Sequence, residues 1–268
     1  MRLLGEATIL DAVVAEKRRE VAALRPRRDR LRAGAEAAAA PRDFAGALRR
    51  RGEVALVAEI KTRSPSGGEI RPGADAAGVA ARYEAGGAAA LSVLTDRRFF
   101  GGSLDALRTV RARVRLPVLR KDFVLDQLQL WEARAAGADA VLLIVRLLDS
   151  HLLAELVSLA RELGMAALVE THDEAEIERA HSAGASLVGV NNRDLATLET
   201  DLERCPELVS KLRAGVTAVA ESGVSTRDYV QRLGRAGFDA VLVGESLLRQ
   251  PDARAAAALL VGVKKEKR

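Results

Sequence analysis

Eight short, unbroken apolar runs, each ending in polar residues and separated from the next by a longer amphipathic stretch, predict an α/β fold: a (β/α)8 TIM barrel with an extra N-terminal helix. The runs are continuous in Val, Leu, Ile and Ala rather than alternating, which marks strands buried on both faces, as a parallel sheet requires. Eight such units within residues 53–268 fit a closed barrel better than an open sheet with a topological switch point. A chain of 268 residues, 49% of them hydrophobic, is large enough to bury one such core.

The elements follow in order. TILDAVVAEKRREVAAL (8–24) places Ile9, Leu10, Val13, Val14 and Val21 on one helical stripe, with Thr8 able to cap and Pro26 to stop the helix. An Ala/Arg-rich connector runs to about Arg42, and DFAGAL (43–48) leads into the first strand. Residues 1–52 thus form a helical extension and connector, and residues 53–268 the barrel. The strands are VALVAEI (54–60), AAALSVL (88–94), PVLRK (117–121), DAVLLIV (139–145), AALVE (166–170), SLVGVN (186–191), VTAVAES (216–222) and DAVLVG (239–244). Amphipathic segments such as 75–86, 103–114, 149–163 and 226–237 lie between them, and several close on Ala-Gly, where glycine relieves left-handed strain at a helix C-terminus.

In this barrel class functional groups sit at the C-terminal strand ends. Read in order, those ends carry Glu59 and Lys61, Thr95 and Asp96, Lys121 and Asp122, Arg146, Glu170, Asn191 with Arg193, Glu221 with Ser222, and Gly244-Glu245-Ser246. Glu59 and Lys61 stand two apart and so on one side of their strand. Isolated burial of such charges costs several kcal/mol each, so they must pair or meet a ligand. ESGVST (221–226) and VGESLLR (243–249) each put glycine between a strand end and a helical turn, where backbone N–H groups and the helix terminus hold an anion. The two follow the seventh and eighth strands, the usual phosphate position of such barrels.

Composition narrows the class. Residues 1–52 hold 13 basic and 7 acidic side chains, leaving 29 and 30 for the rest, so the net charge of +5 is entirely N-terminal. With a near-neutral body, 3% aromatic residues and no recognisable motif, nucleic-acid binding is not expected. No run approaches the roughly 18 to 20 apolar residues of a membrane span, so a cytoplasmic protein without membrane association is expected. One cysteine, Cys205, rules out an internal disulfide framework. His151, His172 and His181 lack metal-ligand spacing and are expected at helix ends or on the surface; no metal and no cofactor is called for.

The residues together resemble the indole-3-glycerol phosphate synthase family. EIKTRSPSGG (59–68), LSVLTD (91–96), VLRKDF (118–123), EARAAGADAVLLIV (132–145), VE (169–170), VNNRDL (190–195), ESG (221–223) and VLVGESLLR (241–249) carry the resemblance, which covers nearly the whole chain. It implies a monofunctional enzyme, working as a monomer or a weak homodimer, with the N-terminal helix folded over the barrel mouth. It also implies a small phosphorylated substrate, 1-(2-carboxyphenylamino)-1-deoxyribulose 5-phosphate, whose indole ring is closed with loss of carbon dioxide and water.

By the same resemblance, Lys121 is the general acid that protonates the alkoxide formed as the ring carbon attacks the ketone. Lys61 and Glu59 suit the later dehydration, with Glu170 competing as base or as the group that positions Lys121; these roles stay open at this point. Asn191 and Glu221 are expected to orient the ribulose hydroxyls, and Arg193 or Lys61 to meet the anthranilate carboxylate. Ser64, Ser222, Gly223, Gly244 and the backbone of Glu245 are implicated in holding the phosphate. Pro65, Phe100, Phe123, Leu142 and Leu195 are placed to form the apolar wall for the aromatic ring, while Trp131, on a helix, is assigned to packing. Family members often have serine or threonine at the position of Glu245, so its carboxylate is expected to point away from the phosphate. Gly101-Gly102 is expected to loosen the loop after the second strand.

Two rivals are weaker. Aminoaldose isomerase barrels rely on a Cys/Asp or Asp/Asp pair, whereas these strand ends offer lysines and glutamates. A non-catalytic anion-binding protein has no need of every acid and base at the mouth.

Overall fold

Each of the eight apolar runs becomes a strand in the computed structural model, which describes residues 9–61, 63–64, 68–69, 75–195 and 197–266. The strands are β1 (Ala55–Ile60), β2 (Ala90–Leu94), β3 (Val118–Lys121), β4 (Ala140–Ile144), β5 (Ala166–Thr171), β6 (Leu187–Asn191), β7 (Thr217–Glu221) and β8 (Ala240–Val243). All neighbours pair in parallel, and β1 pairs with both β2 and β8, closing the barrel. A two-stranded hairpin of Arg63–Ser64 and Gly68–Glu69 follows β1. Pro65, between its two strands, lies outside the described residues, as does the side chain of Ser64.

The period of two divides each strand between two cores. Ala55, Val57, Leu119, Leu142, Leu168, Leu187, Val219 and Leu242 fill the barrel interior. Leu56, Ala58, Leu91, Val93, Val141, Leu143, Val188 and Val241 face the surrounding helices. Those helices include α4 (Ala76–Ala85), α5 (Leu104–Arg113), α6 (Gln127–Ala135), α7 (Ser150–Glu162) and α8 (Glu174–Ser182). They continue with α9 (Arg204–Leu208), α10 (Arg227–Ala236), α11 (Glu245–Leu248) and α12 (Ala253–Leu260), the three elements α1 to α3 preceding the barrel. Asp75, Ser103, Asp126, Asp149, Asp173, Thr226 and Asp252 each cap a helix by accepting a backbone N–H, at a typical gain of about 1 kcal/mol apiece.

The N-terminal extension travels the length of the barrel. α1 (Ile9–Leu24) is tied to the C-terminal strand ends: Lys17 Nζ lies 2.9 Å from Asp96 Oδ2 and 2.8 Å from Asp122 Oδ1, in the segments that follow β2 and β3. After one turn of 3-10 helix at Arg25–Arg27, the stretch expected as an irregular connector is helical, α2 (Arg28–Ala37). Leu31 and Ala35 on α2, with Val21 and Leu24 on α1, bury Leu128 and Trp131 of α6; Trp131 is a packing residue. The chain then reaches the opposite end, where the Arg42 N–H donates to Asp139 Oδ1 just before β4. On α3 (Phe44–Leu48), Phe44 and Leu48 plug the barrel floor against Ala55, Leu187 and Ala240. Full burial of two such side chains stabilises the fold by about 1.5–3 kcal/mol each.

Candidate active site

On five of the strands the inward face carries apolar side chains upward until the last position, which is polar. Val57 is succeeded by Glu59 and then Lys61, Leu119 by Lys121, Leu168 by Glu170, Val219 by Glu221, and Leu187 by Gly189 and Asn191. Five charged groups and one amide therefore converge above a dry core, around a cavity of about 440 Å³ that all six line. Two glycines make the crowding possible. A Cβ on Gly189 would stand 2.1 Å from Glu221 Oε1, and one on Gly244 would stand 2.4 Å from Glu59 Oε1.

Lys121 is the hub. Its Nζ donates to Glu170 Oε2 at 3.0 Å and to Glu221 Oε2 at 2.7 Å. Burial opposes its charge, but Glu170, Glu221 and Glu59 together raise its pKa well above the ordinary lysine range, so it holds its proton. The two carboxylates that share it differ. Burial disfavours the charge of Glu170, yet Lys121, His172 and the amide of Asn191, which donates to Glu170 Oε1 at 2.9 Å, bring its pKa down to about 2. Burial pushes Glu221 up to about 7; Lys121 acts in the other direction, and the negative charges of Glu170 and Glu59 add to the rise. Glu221 Oε1 has no hydrogen-bond partner among the described residues. Lys61 Nζ pairs with Glu59 Oε1 at 3.1 Å.

The apolar side of the cavity is formed by Phe100, Phe123, Leu142 and Leu195, as the sequence suggests, joined by Leu94, Ile144 and Leu198. The rings of Phe100 and Phe123 have centroids 6.0 Å apart, tilted by 40°. On the opposite side lie Ser222, Gly223, Gly244 and Glu245. Ser222 and Gly223 both take positive φ, 65° and 74°, which turns the loop after β7 back across the mouth. Glu245 opens α11, whose first N–H groups have no intrahelical acceptor. Its carboxylate pairs with Arg249 one turn on, at 2.8 Å. Arg249 and Lys61 outweigh partial burial and hold that carboxyl below the usual range. Arg193 also lines the cavity, and its N–H donates to Asn191 Oδ1 at 2.9 Å, fixing the amide that faces Glu170.

Several expectations change. His172 is not at the surface: it is 4% exposed, directly after β5, with Nε2 3.4 Å from Glu170 Oε1 and Nδ1 3.0 Å from Glu176 Oε2. Arg146 links Glu176 at 2.9 Å to Asp194 at 3.2 Å, so a line of polar contacts through His172 joins Glu170 to the loop after β6. A histidine two residues beyond a strand-end glutamate was the available signal, because period two sets both on one side. Gly102 is held close, its N–H donating to Asp96 O at 2.7 Å, and a Cβ there would meet Leu94 O at 2.2 Å. Arg249 and Leu198 are cavity residues without a sequence signal of their own. Ser64 and Pro65 fall outside what can be placed at side-chain level. Among the described residues no group of three His, Cys, Asp or Glu side chains is arranged to hold a metal ion.

The family model and the related sequences agree on one family. Residues 10–260 match the family model described as indole-3-glycerol phosphate synthase. The chain is 48% identical to the indole-3-glycerol phosphate synthase of Chlorobium limicola, over 91% of this chain and 96% of that protein. It is 49% identical to that of Laribacter hongkongensis, over 94% and 98%. Among solved structures, 3-hexulose-6-phosphate synthase from Salmonella typhimurium superposes with a TM-score of 0.63 at 16% identity, covering 77% of this chain and 96% of that one. Orotidine 5'-phosphate decarboxylase from Pyrococcus horikoshii superposes with a TM-score of 0.55 at 17% identity, covering 69% and 90%. At such identities these two show the shared barrel alone.

Proposed function

The chain belongs to the indole-3-glycerol phosphate synthase family, and we propose that its strand-end lysines and glutamates divide that family's reaction among them as follows. The reaction itself converts 1-(2-carboxyphenylamino)-1-deoxyribulose 5-phosphate to indole-3-glycerol phosphate by ring closure, decarboxylation and dehydration.

Ring closure begins when the aromatic carbon bearing the carboxylate attacks the ketone carbon. The carbonyl π electrons move to oxygen, and Lys121 gives that oxygen a proton. The observation that carries this role is the seat of Lys121 between Glu170 and Glu221, at 3.0 and 2.7 Å, which keeps it charged until an oxyanion forms beside it. Glu170, ionised and fixed by Asn191, positions Lys121 and is a poor proton acceptor. Loss of carbon dioxide returns its bonding pair to the ring. In the dehydration Lys61 protonates the departing hydroxyl, and a carboxylate removes the proton from the adjacent carbon. The Glu59–Lys61 contact of 3.1 Å supports Glu59 as that base. Asn191 and Glu221 orient the ribulose hydroxyls, and Arg193 meets the anthranilate carboxylate. Gly223, Gly244 and the N–H of Glu245, with Ser222 and Ser64, receive the phosphate.

The assay is the appearance of indole fluorescence from the carboxyphenylamino substrate. Lys121→Met is expected to lower kcat by roughly 10² to 10⁴-fold while substrate still binds, the usual range for a lost acid-base group. Retention of more than about a hundredth of kcat would overturn the role assigned to Lys121. The same reading has the enzyme working in the cytoplasm as a monomer or at most a weak homodimer, apart from nucleic acid and membranes. Its support is that the large apolar side chains exposed among the described residues are Leu202 and Leu259 alone. Light scattering at working concentration tests the monomer.

A further inference from the structure

Behind the aromatic side of the cavity lies a second group of charges that the reaction does not use. Lys17 of α1 is 1% exposed, and its Nζ meets Glu20 at 2.8 Å, Asp96 at 2.9 Å and Asp122 at 2.8 Å. Asp96 and Asp122 are themselves backbone clamps. Asp96 Oδ1 accepts the N–H groups of Phe99 and Phe100 at 2.7 and 3.1 Å, and Asp122 Oδ1 accepts that of Phe123 at 2.9 Å. The remaining oxygen of Asp122 is held by Thr95 at 2.5 Å and Arg120 at 3.1 Å. One ammonium from outside the barrel thus joins the two loops whose phenylalanine rings meet, 6.0 Å between centroids, on the apolar side of the cavity.

Tethering a helix does not require this. Val13, Val21 and Leu24 are buried on the same stripe of α1, and an apolar side chain at position 17 would continue it without desolvating an ammonium. What a charge adds is direction: a point cation within 3 Å of two carboxylates fixes how far apart they stand. We propose that Lys17 is a positioning residue for the aromatic wall, fixing the Phe100–Phe123 ring pair through Asp96 and Asp122 and so the apolar surface against which the anthranilate ring rests. The proposal rests on the reading of that wall as the ring site.

The test compares two ligands on the whole enzyme: the substrate with its ketone reduced to an alcohol, which bears the ring and cannot react, and ribulose 5-phosphate, which has no ring. Lys17→Met is expected to weaken the first by about tenfold or more and the second by less than about twofold, with Lys17→Arg recovering part of the loss. Equal losses for both ligands, or none for either, would overturn the proposal, because a merely structural anchor does not distinguish them. Should Lys17→Met fail to fold, Lys17→Met/Asp96→Asn removes one charge of each sign and keeps an amide oxygen for the Phe99 and Phe100 N–H groups; the same selective loss is expected. If the unaltered enzyme binds the ring-bearing ligand no more tightly than ribulose 5-phosphate, the ring-site reading itself fails and takes the proposal with it.

Discussion

The molecule holds two lysines between pairs of carboxylates, and the pairs behave differently. Around Lys17 every oxygen of Asp96 and Asp122 lies within 3.1 Å of a cation or a donor, and both carboxylates are at most 3% exposed. Around Lys121 the ammonium side chain keeps 15% of its surface open to the cavity, and Glu221 retains an oxygen without a partner. In the closed group every carboxylate oxygen lies against a cation or a donor, Asp96 Oδ2 being met by the Lys17 charge and not by a hydrogen bond, so the group fixes geometry. The open group has capacity left for a ligand, and its carboxylates are driven apart in acidity, as sites of proton transfer require. Burial of charge alone does not mark a catalytic centre; incomplete pairing beside a cavity does.

The largest test of this contrast is at Glu59 and Lys61, which belong to the open group. Lys61→Ala and Glu59→Gln are each expected to lower kcat by roughly 10² to 10⁴-fold with an intermediate past ring closure accumulating. Rapid quench that finds only unreacted substrate in both variants would move them to the first step or to binding.

A smaller effect sharpens the acidity difference. Because Glu221 is raised from its ordinary value to about 7, the native state keeps a proton that the unfolded chain loses from about pH 4.5 upward. Its contribution therefore weakens the fold as pH rises through that window. Glu170, lowered to about 2, acts in the opposite sense, losing its stabilising contribution as pH falls from about 4.5. Glu221→Gln is expected to raise Tm relative to the parent by an amount that grows between about pH 4.5 and 7 and then levels. Thermal melts showing a pH-independent difference would break the assignment. The smallest effect belongs to a pair in neither group: Glu16 and Arg98 meet at 2.6 Å at the surface, and Glu16→Gln is expected to leave Tm and KM unchanged.

All eight strands were legible because parallel strands buried on both faces read as unbroken apolar runs, and their polar last residues gave the site. α2 was not legible: its segment, RDRLRAGAEA, buries only Leu31 and Ala35, too thin a stripe to stand out from an Arg/Ala-rich connector. Nothing in TILDAVVAEKRREVAAL sets Lys17 apart from the other charges of its helix. Its partners lie far along the chain in two different loops, and no local pattern announces an encounter that only the closed barrel creates. His172 carried a signal in its place two residues beyond Glu170, but its contacts with Glu176, and through it with Arg146 from the preceding strand's end, are made only by the fold.

The route of the extension, from mouth to floor before the first strand begins, also bears on the order in which the molecule can be assembled. In a chain made from its N-terminus, α1 precedes the barrel, but Lys17 has only Glu20 beside it until Asp96 and Asp122 have followed, and α2 has no face to cover until Trp131 and α6 exist. Phe44 and Leu48 wait longer still, since the floor they plug includes Ala240 of the last strand. The extension, made before any strand of the barrel, is thus among the last parts to be fixed, and until then its many arginines keep an unpaired apolar stripe in solution.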